Sequence, residues 1–458
     1  MSHSQEDLRG IQSARLDAFK QREAERYADA RPQTLARLQS EKGSFLDDVP
    51  MHWMKDWPMP FPMLVSHAKG ARLVDLDDNA IDDFCLGDTG SMFGHSPDPV
   101  ARAIAAQADQ GLTYMLPTEH AFEAGRLLTE KFGDFRWQIA TTASDANRFA
   151  LSVARAVTGK PKVLVFEGCY HGAVPDVMVT LENGETKPRP GLTGQVVDLT
   201  ELAICAEFND LDSVEAALKS GEVAAIITEP VLTNSCMVLP APGFHDGLRK
   251  LATEYGALLI MDETHTISSG LGGYTGVSGL DPDIFVVGKC VAGGMPTAVW
   301  GMRQSLADAY TTYDANRPGG HSGLGTTLSA NPMQFACLRA NLSEVMTAEA
   351  YAHMEAGAER LAQGLQDVIT RVGADWHVVR VGARVEFICA PGPLTSGTQA
   401  RTAHAPEIEA AMHVGLLNRG CLIAPFHNMM LVSPVTENAQ IDRLVAAFDD
   451  IMTELFEG

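Results

Sequence analysis

Short, wholly apolar runs recur along the middle of the chain and alternate with segments of helical character. Four of these runs are VLVF (163–166), VAAIIT (223–228), ALLIM (257–261) and IFVV (284–287). Continuous apolar runs of this length, rich in Val and Ile, are typical of strands buried on both faces. Helical segments such as FHDGLRKLATEYG separate several of them. The pattern predicts an α/β fold with a mainly parallel sheet that helices cover on both faces.

The pattern changes on either side of this region. Residues 5–40 are charged and helix-prone, and an irregular, proline-containing stretch with Trp53 and Trp57 follows. After residue 335 come a long helical stretch, a strand pair near VVRVGARVEFICA, a helix around 407–419 and a closing helix at 440–456. We therefore predict an N-terminal helix and arm over 1–70, a large domain over 71–335 whose first part bridges to the small domain, and a smaller α+β domain over 336–458.

Composition excludes several classes of function. The formal net charge of −23 and the pI near 4.9 disfavour nucleic acid or an anionic membrane as partner, although a local pocket can still bind a small anion. The N-terminus has no apolar segment of signal-peptide type, and the apolar runs are too short to span a bilayer. Eight cysteines lack CxxC or metal-ligand spacing, so we expect neither a disulfide framework nor a metal site. A cytoplasmic location is expected.

Residues that can bind or react follow each of the four apolar runs. In open α/β sheets, ligands gather at the carboxyl ends of the strands. Any one of these residues, taken alone, is most simply explained by a structural role. Four such ends on one edge of the predicted sheet indicate a ligand site. The segments are Glu167–Gly172 after the first run, Glu229 after the second, Asp262–His265 after the third and Lys289 after the fourth.

Lys289 and Asp262 are chemically informative together. A lysine directly after a buried strand is expensive to desolvate unless it is neutralised or used covalently, for example in a Schiff base. An aspartate at a neighbouring strand end suits a pyridine nitrogen that must stay protonated. The pair therefore predicts pyridoxal 5'-phosphate (PLP), with a buried Asp–Lys ion pair as the alternative.

A predicted helix start supplies a candidate phosphate site. In TTASDANRFALSVARA, Thr141, Thr142 and Ser144 precede an apolar face that begins at Ala146. Hydroxyls and small residues at a helix N-terminus suit a phosphate, although an ordinary capped helix would have the same sequence pattern. Tyr170 in FEGCYHG offers a flat face for stacking on a ring; a half-buried core tyrosine is the alternative.

These motifs, taken together, resemble a known family. The chain is similar, from about Phe61 to its C-terminus, to the class III aminotransferases of PLP fold type I. The likeness is greatest to the branch with glutamate-1-semialdehyde aminomutase and the β-amino-acid transaminases. The motifs that carry it are DFCLGDTGSMFGHSP, LPTEHAFEAGRLL, TTASDANRFALSVARA, FEGCYHG, the segment TEPVLTNSCMVLPAPGFHDGLRKLATEYGALLIMDETHT, GKCVAGGMP and TTLSANP.

The resemblance implies roles for individual residues. Lys289 corresponds to the lysine that holds PLP as a Schiff base and later moves a proton, and Asp262 to the partner of the ring nitrogen. Thr327 corresponds to a threonine that reaches the phosphate of the partner subunit, which implies a homodimer with shared active sites. Further cofactor-binding residues implied by the match are Ala143, Ser144, Tyr170, Glu229, Thr264 and His265.

Two positions depart from the family pattern. Ala143 stands where the family usually has glycine, so the phosphate loop must accept a Cβ atom. His265 stands where other branches carry Gln, Met or Ile near the pyridoxal 3'-oxygen. That histidine either hydrogen-bonds the oxygen or is an ordinary loop residue.

The resemblance implies amino-group transfer from an amine or amino acid to a keto acid or aldehyde. An aminomutase that moves the amino group within one substrate is the alternative, as are a PLP lyase or epimerase, because the cofactor carries the chemistry. A non-enzymatic member would leave Lys289 and Asp262 without a purpose.

Substrate contacts are harder to predict. An amino-acid carboxylate calls for a cation, usually arginine, and N-terminal apolar residues can line a pocket for bulky amines. The candidates are Arg384, Arg401, Trp57, Ser91 and Met92, with structural or surface roles as the alternative.

Overall fold

The computed structural model describes residues 7–425 and 427–457, which divide into two compact units. The first unit comprises the described residues up to Pro97, Ala352–Pro393 and those from Ala403 onward; the second comprises Asp98–Tyr351 and Leu394–Thr402. The observed division falls at Pro97 and Tyr351, whereas the predicted boundaries lie at 70 and 335. The reason is strand pairing, since Ala80–Asp83 pairs with Cys421–Leu422 far along the chain.

A seven-stranded sheet forms the centre of the second unit. In chain order the strands are Arg136–Ala140 (β1), Lys162–Phe166 (β2), Ala203–Ala206 (β3), Val223–Thr228 (β4), Leu258–Asp262 (β5), Ile284–Val287 (β6) and Ala298–Met302 (β7). Their order in the sheet is β3-β2-β4-β5-β6-β7-β1, and only β7 runs against its neighbours, so the sheet is mainly parallel as predicted. All six residues of β4 are buried, as expected for a central strand covered on both faces.

Helices alternate with these strands along the chain, and a two-stranded hairpin, Val179–Glu182 with Glu185–Pro188, is inserted after β2. This alternation produces parallel neighbours because each crossover returns the chain to the same end of the sheet. The helices are Asp98–Ala108, Glu119–Phe132, Ala143–Thr158, Leu211–Leu218, Phe244–Glu254, Gly273–Ser278, Gln304–Asn316 and Pro332–Ala340.

The first unit is built from two small sheets, a short antiparallel pair (Asp7–Leu8 with Ile11–Gln12) and several helices around a core of its own. That core joins N-terminal residues such as Phe19 to C-terminal ones such as Phe448. One sheet has strands Val65–Lys69, Arg72–Asp75, Ala80–Asp83 and Cys421–Leu422; the other has His377–Val381, Arg384–Ile388 and Met429–Leu431. The helices include Ser13–Asp29, Pro32–Ser40, Pro406–Asn418 and Asn438–Phe456, and Ala348–Val372 contributes most of its length.

Across residues 7–425 and 427–457, none of the helices combines the length and the apolar character that a bilayer crossing requires.

Candidate active site

The strand ends that carry reactive residues lie next to one another, because β2, β4, β5 and β6 are consecutive parallel neighbours. Glu229 directly follows β4, Asp262 is the last residue of β5, and Lys289 comes shortly after β6. The Tyr170 backbone N–H donates to Glu229 Oε1 at 3.0 Å, and His171 Nδ1 lies 2.9 Å from Asp262 Oδ2. The polar residues that follow these strands therefore form one cluster, as predicted.

Three donors hold the buried carboxylate of Asp262. Asn147 Nδ2 donates to Oδ2 at 2.8 Å, His171 Nδ1 lies 2.9 Å from the same oxygen, and the Thr264 backbone N–H donates to Oδ1 at 3.1 Å. A carboxylate offers about four acceptor positions. Among the described residues, these contacts leave one position on Oδ1 for a further N–H donor, which is what a pyridinium requires.

The electrostatics keep Asp262 ionised. Burial by itself raises the pKa of Asp262, but hydrogen bonds and charge from His171, with Thr264 and Asn147, outweigh it and hold that pKa below its ordinary value. Burial opposes the imidazolium of His171, yet Cys169 and Asp262 raise the pKa of that histidine to about 10. At neutral pH the pair is thus a buried imidazolium and carboxylate.

Lys289 is half-buried and contacts His265. Its Nζ lies 2.5 Å from His265 Nε2, and its backbone has φ +49°, in the left-handed region that residues other than glycine rarely adopt. Such conformations cost about 1–3 kcal/mol and cluster at active sites. The surrounding fold therefore holds this lysine in a defined place.

The predicted phosphate helix begins close to Lys289. Thr142 caps the helix Ala143–Thr158, its hydroxyl accepting from the Asp145 backbone N–H. An ideal Cβ on Gly288 would lie 2.9 Å from the Ala143 Cβ, which means that the backbone preceding Lys289 passes directly by the helix start. The helix N-terminus, with its unpaired N–H groups and positive dipole end, thus lies beside the lysine.

Gly172, in the loop that follows Tyr170 and His171, packs against Ser144 at the start of the helix Ala143–Thr158. We expect Gly172→Ala to lower the free energy of unfolding and to weaken PLP binding, because a Cβ there would lie 2.2 Å from Ser144 Oγ, at φ +84°. The displacement of Ser144 should cost roughly 1–3 kcal/mol beyond the backbone term, as overpacking does. Urea unfolding and PLP titration measure the two effects.

Gly184→Ala is the matched control for that substitution. Gly184 has a similar φ of +80° at the tip of the hairpin, but a Cβ on it would meet nothing within 4 Å. The backbone strain, about 1–2 kcal/mol, is then shared by both variants. Equal losses of stability and PLP affinity in the two variants would show that Ser144 is not displaced.

Other predicted cofactor residues lie at or near this cluster. Tyr170 is half-buried, and Glu229 is buried with its carboxylate bonded to the Tyr170 backbone and to Thr233. The Thr264 hydroxyl is a buried oxygen without a hydrogen-bond partner among the described residues. Thr327 is exposed in the segment before the helix Pro332–Ala340. Their roles toward a cofactor stay predictions.

The predicted substrate residues have partners of their own. Arg401 Nη1 is 2.6 Å from Glu167 Oε1 within the second unit, and its Nη2 donates to the Leu181 carbonyl. Arg384 lies fully buried in the first unit, where its Nη2 donates to Thr89 Oγ1 at 2.6 Å. The remaining candidates also belong to the first unit: Trp57, whose ring meets that of His413, half-buried Ser91 and buried Met92.

Sequence reasoning assigned no role to three residues of the cluster: Asn147, His171 and Thr233. Asn147 falls on the buried face of its helix, at a position where an apolar residue would be ordinary. A buried asparagine needs partners, so its presence on that face was an available signal. His171 follows Tyr170 in the motif FEGCYHG, which the sequence analysis singled out, whereas nothing in the sequence around Thr233 indicates a role for it.

The polar groups of the cluster are of the kinds that PLP requires. Asp262 has an acceptor position for the ring nitrogen, Thr264 has an unused buried hydroxyl, and the helix start at Ala143 offers N–H groups to a phosphate. Lys289 supplies the amine that an aldehyde requires. Among the described residues no group of His, Cys, Asp and Glu could hold a metal ion.

Comparison with known proteins agrees with this geometry. The family model for aminotransferase class-III matches residues 53–452. Glutamate-1-semialdehyde 2,1-aminomutase of Roseiflexus castenholzii is 33% identical over 400 residues, which cover 86% of this chain and 91% of the relative. The crystal structure of a glutamate-1-semialdehyde aminomutase from Pseudomonas aeruginosa PAO1 superposes with TM-score 0.95 and 43% identity, covering 97% of this chain and all of that one.

Two more structures extend the comparison. A lysine-to-alanine variant of the Pseudomonas enzyme, with the same 0.95 TM-score, 43% identity and coverage of 97% and 100%, is in complex with PMP. A β-phenylalanine aminotransferase from Variovorax paradoxus has TM-score 0.83 and 26% identity, over 95% of this chain and 97% of that one. The fold is PLP fold type I, and the chain belongs to the class III aminotransferases, a family that uses pyridoxal 5'-phosphate.

Proposed function

We propose that this protein transfers an amino group from an amine or amino acid to a keto acid or aldehyde, with PLP bound to Lys289. The observation that carries the proposal is the juxtaposition of Asp262 and Lys289 at the ends of the adjacent strands β5 and β6, beside a helix N-terminus. Each group is of the type that one part of the cofactor requires.

When bound, PLP supplies an electron sink for the bonds at the amine-bearing carbon. Asp262 would accept a hydrogen bond from the ring nitrogen and so keep that nitrogen protonated. Asn147 and His171 hold the carboxylate in place, since both contact Oδ2. The N–H groups at Ala143 and Ser144 would hold the phosphate, and Tyr170 would offer a flat face to the ring.

Lys289 has two tasks in this proposal. Its Nζ would hold the cofactor through the aldehyde, and as a free amine the same Nζ would take and return a proton at the substrate carbon. Half-burial limits the access of water to Nζ. An amine on a flexible four-carbon stem can reach both positions without any change in the backbone.

An aminomutase is the second candidate, favoured by a specific observation. The relatives of 33% and 43% identity described above are both named glutamate-1-semialdehyde aminomutases. The same residues would serve, because the two reactions differ in whether the product leaves before the amino group returns. Lyase or epimerase chemistry would likewise use Lys289 and Asp262.

A panel of substrates tests the proposal. Amines, α-amino acids and β-amino acids are assayed with pyruvate and 2-oxoglutarate, and glutamate-1-semialdehyde is assayed without an added acceptor. If the protein is a transaminase, turnover should depend on the added acceptor, pyruvate or 2-oxoglutarate. Turnover of the semialdehyde alone would assign the aminomutase instead, and the absence of both activities in PLP-loaded protein would contradict amino-group transfer.

We propose further that the enzyme is a cytoplasmic homodimer with shared active sites. Thr327 is exposed and, within the part of the chain that the structure describes, its hydroxyl has no hydrogen bond, which suits a residue that reaches a partner's phosphate. The same unit exposes a run of apolar side chains of the kind that obligate dimers bury: Leu112, Tyr114, Met115, Leu116 and Phe122. All eight cysteines are buried and, in the described structure, none is in a disulfide, which fits a reducing compartment.

Sedimentation of dilute, PLP-loaded protein checks the assembly. We expect the protein to stay dimeric for as long as it is active. When the dimer dissociates it should lose PLP, because each site needs both chains. Thr327→Val should weaken PLP binding, whereas Thr326→Val should not, since the Thr326 hydroxyl bonds Ser329 Oγ within its own chain. An active, PLP-saturated monomer at nanomolar concentration would rule out the shared site.

A further inference from the structure

A line of hydrogen-bonding side chains runs from Glu229 to Lys289. Glu229 Oε2 is 2.5 Å from Thr233 Oγ1, which is 2.7 Å from His265 Nδ1. His265 Nε2 is in turn 2.5 Å from Lys289 Nζ. The first three residues are 3%, 0% and 5% exposed, so bulk water does not compete for these contacts. The line therefore connects the amine to a carboxylate through the protein interior.

Thr233 determines which groups donate along this line. Its hydroxyl has one proton, so it can donate to only one of its two neighbours, Glu229 and His265. With Glu229 ionised, Thr233 donates to Oε2 and accepts from the Nδ1–H of His265. The Nε2 lone pair then faces the ammonium of Lys289. Asn234 Nδ2 also approaches Nδ1, but at 3.5 Å, too far to compete with the threonine.

We propose that Glu229, Thr233 and His265 form a proton relay for Lys289, an inference that rests on the proposed function. One proton leaves Nζ for Nε2, the Nδ1 proton passes to the threonine oxygen, and the threonine proton passes to Glu229. The total number of protons is unchanged, and Lys289 becomes the neutral amine that can attack a carbonyl or take a proton from carbon.

Burial supplies the driving force for this transfer. The proton transfer replaces a buried carboxylate and a half-buried ammonium by two neutral groups. Keeping two charges away from water is costly, so their removal favours the neutral pair. Burial raises the pKa of Glu229, with Asp262 adding to that effect while His171, Thr233 and Tyr170 oppose it. The net result is a pKa above the ordinary value for a glutamate, which makes the carboxylate a better proton acceptor.

Chemical labelling of Lys289 tests the relay without using turnover. The full-length protein is loaded with pyridoxamine 5'-phosphate, which leaves the lysine amine unbonded, and treated with acetic anhydride, which reacts with neutral amines. Mass spectrometry gives the labelling rate of Lys289 relative to that of exposed Lys42. In His265→Gln we expect this ratio to fall roughly tenfold at neutral pH, because the amide holds the ammonium but cannot take its proton.

Thr233 provides the matched pair of variants. Thr233→Ser keeps the hydroxyl and should label within about twofold of the wild type, whereas Thr233→Val interrupts the line and should label as slowly as His265→Gln, about tenfold below it. A merely structural threonine would not produce this split. If His265→Gln fails to fold by circular dichroism, the Thr233 pair alone decides.

Equal labelling of wild type and Thr233→Val, or equal slowing in the valine and serine variants, would overturn the relay. Wild-type protein that still shows the visible band of lysine-bound PLP would leave the proposed function intact in that case. Absence of that band in wild type would overturn the proposed function itself, so the two failures are distinguishable.

Discussion

Lys289→Ala protein is expected to fold and to bind PLP without the visible absorbance band of the lysine-bound cofactor. Turnover should fall by at least about 10⁴-fold, since proton transfer by a positioned group alone contributes typically 10²–10⁴. The fold should persist because the side chain is only half-buried and the strand before it is held by its own backbone pairing. Absorbance spectroscopy, turnover assays and circular dichroism measure the three effects.

Lys160→Ala is the matched control for this variant. Lys160 lies in the same unit, and its Nζ donates to the carbonyls of Tyr255 and Gly256 at 2.7 and 2.9 Å. It should lose some stability but keep the band and the activity. If Lys289→Ala retained normal amino-group transfer, the cofactor would have to be bound elsewhere, and the proposed function would be wrong.

The strands of the central sheet show what the apolar pattern can predict. VAAIIT and IFVV coincide with β4 and β6, because strands buried on both faces consist of apolar residues and little else. ALLIM is displaced by one residue: β5 continues through Asp262, whose backbone still pairs with Val286. A polar side chain thus ended the pattern before the backbone pairing ended.

The two edge strands are absent from the sequence prediction. RWQIA (β1) and AICA (β3) lie at opposite edges of the sheet, where one side of the strand has no neighbour. Polar and small residues are ordinary at such edges, and they help to prevent pairing between molecules. Hydropathy therefore identifies the four strands that carry the site, but it misses both edges and also the buried inner strand β7.

Contacts between distant residues explain what the sequence could not predict about the site. Arg401 meets Glu167, 234 positions away, and Asn147 meets Asp262, 115 positions away. Strand topology places such residues on a common edge, but the direction of each side chain depends on packing. Their positions after apolar runs thus predict Asp262 and Lys289 as site residues, while the contact between His265 and Lys289 required the structure.

Asp262→Asn is expected to lose roughly a thousandfold or more in turnover, as when a preorganised electrostatic contact is removed. The amide cannot balance a protonated ring nitrogen, so the cofactor loses its capacity to accept electrons. The fold should survive, because His171 can release its proton and still donate Nδ1–H to the amide oxygen. Turnover, the absorbance spectrum with PLP and urea unfolding should be compared with wild type.

Glu263→Gln is the control that separates the role of Asp262 from the loss of any buried charge. Glu263 is adjacent in sequence and fully buried, but its carboxylate accepts from Thr266 and from the backbone N–H groups of Tyr274 and Thr275. Its amide variant should lose stability, because an NH₂ group would face backbone donors, while turnover of the folded protein stays within about tenfold. If Asp262→Asn lost no more than Glu263→Gln, Asp262 would not be the partner of the ring nitrogen.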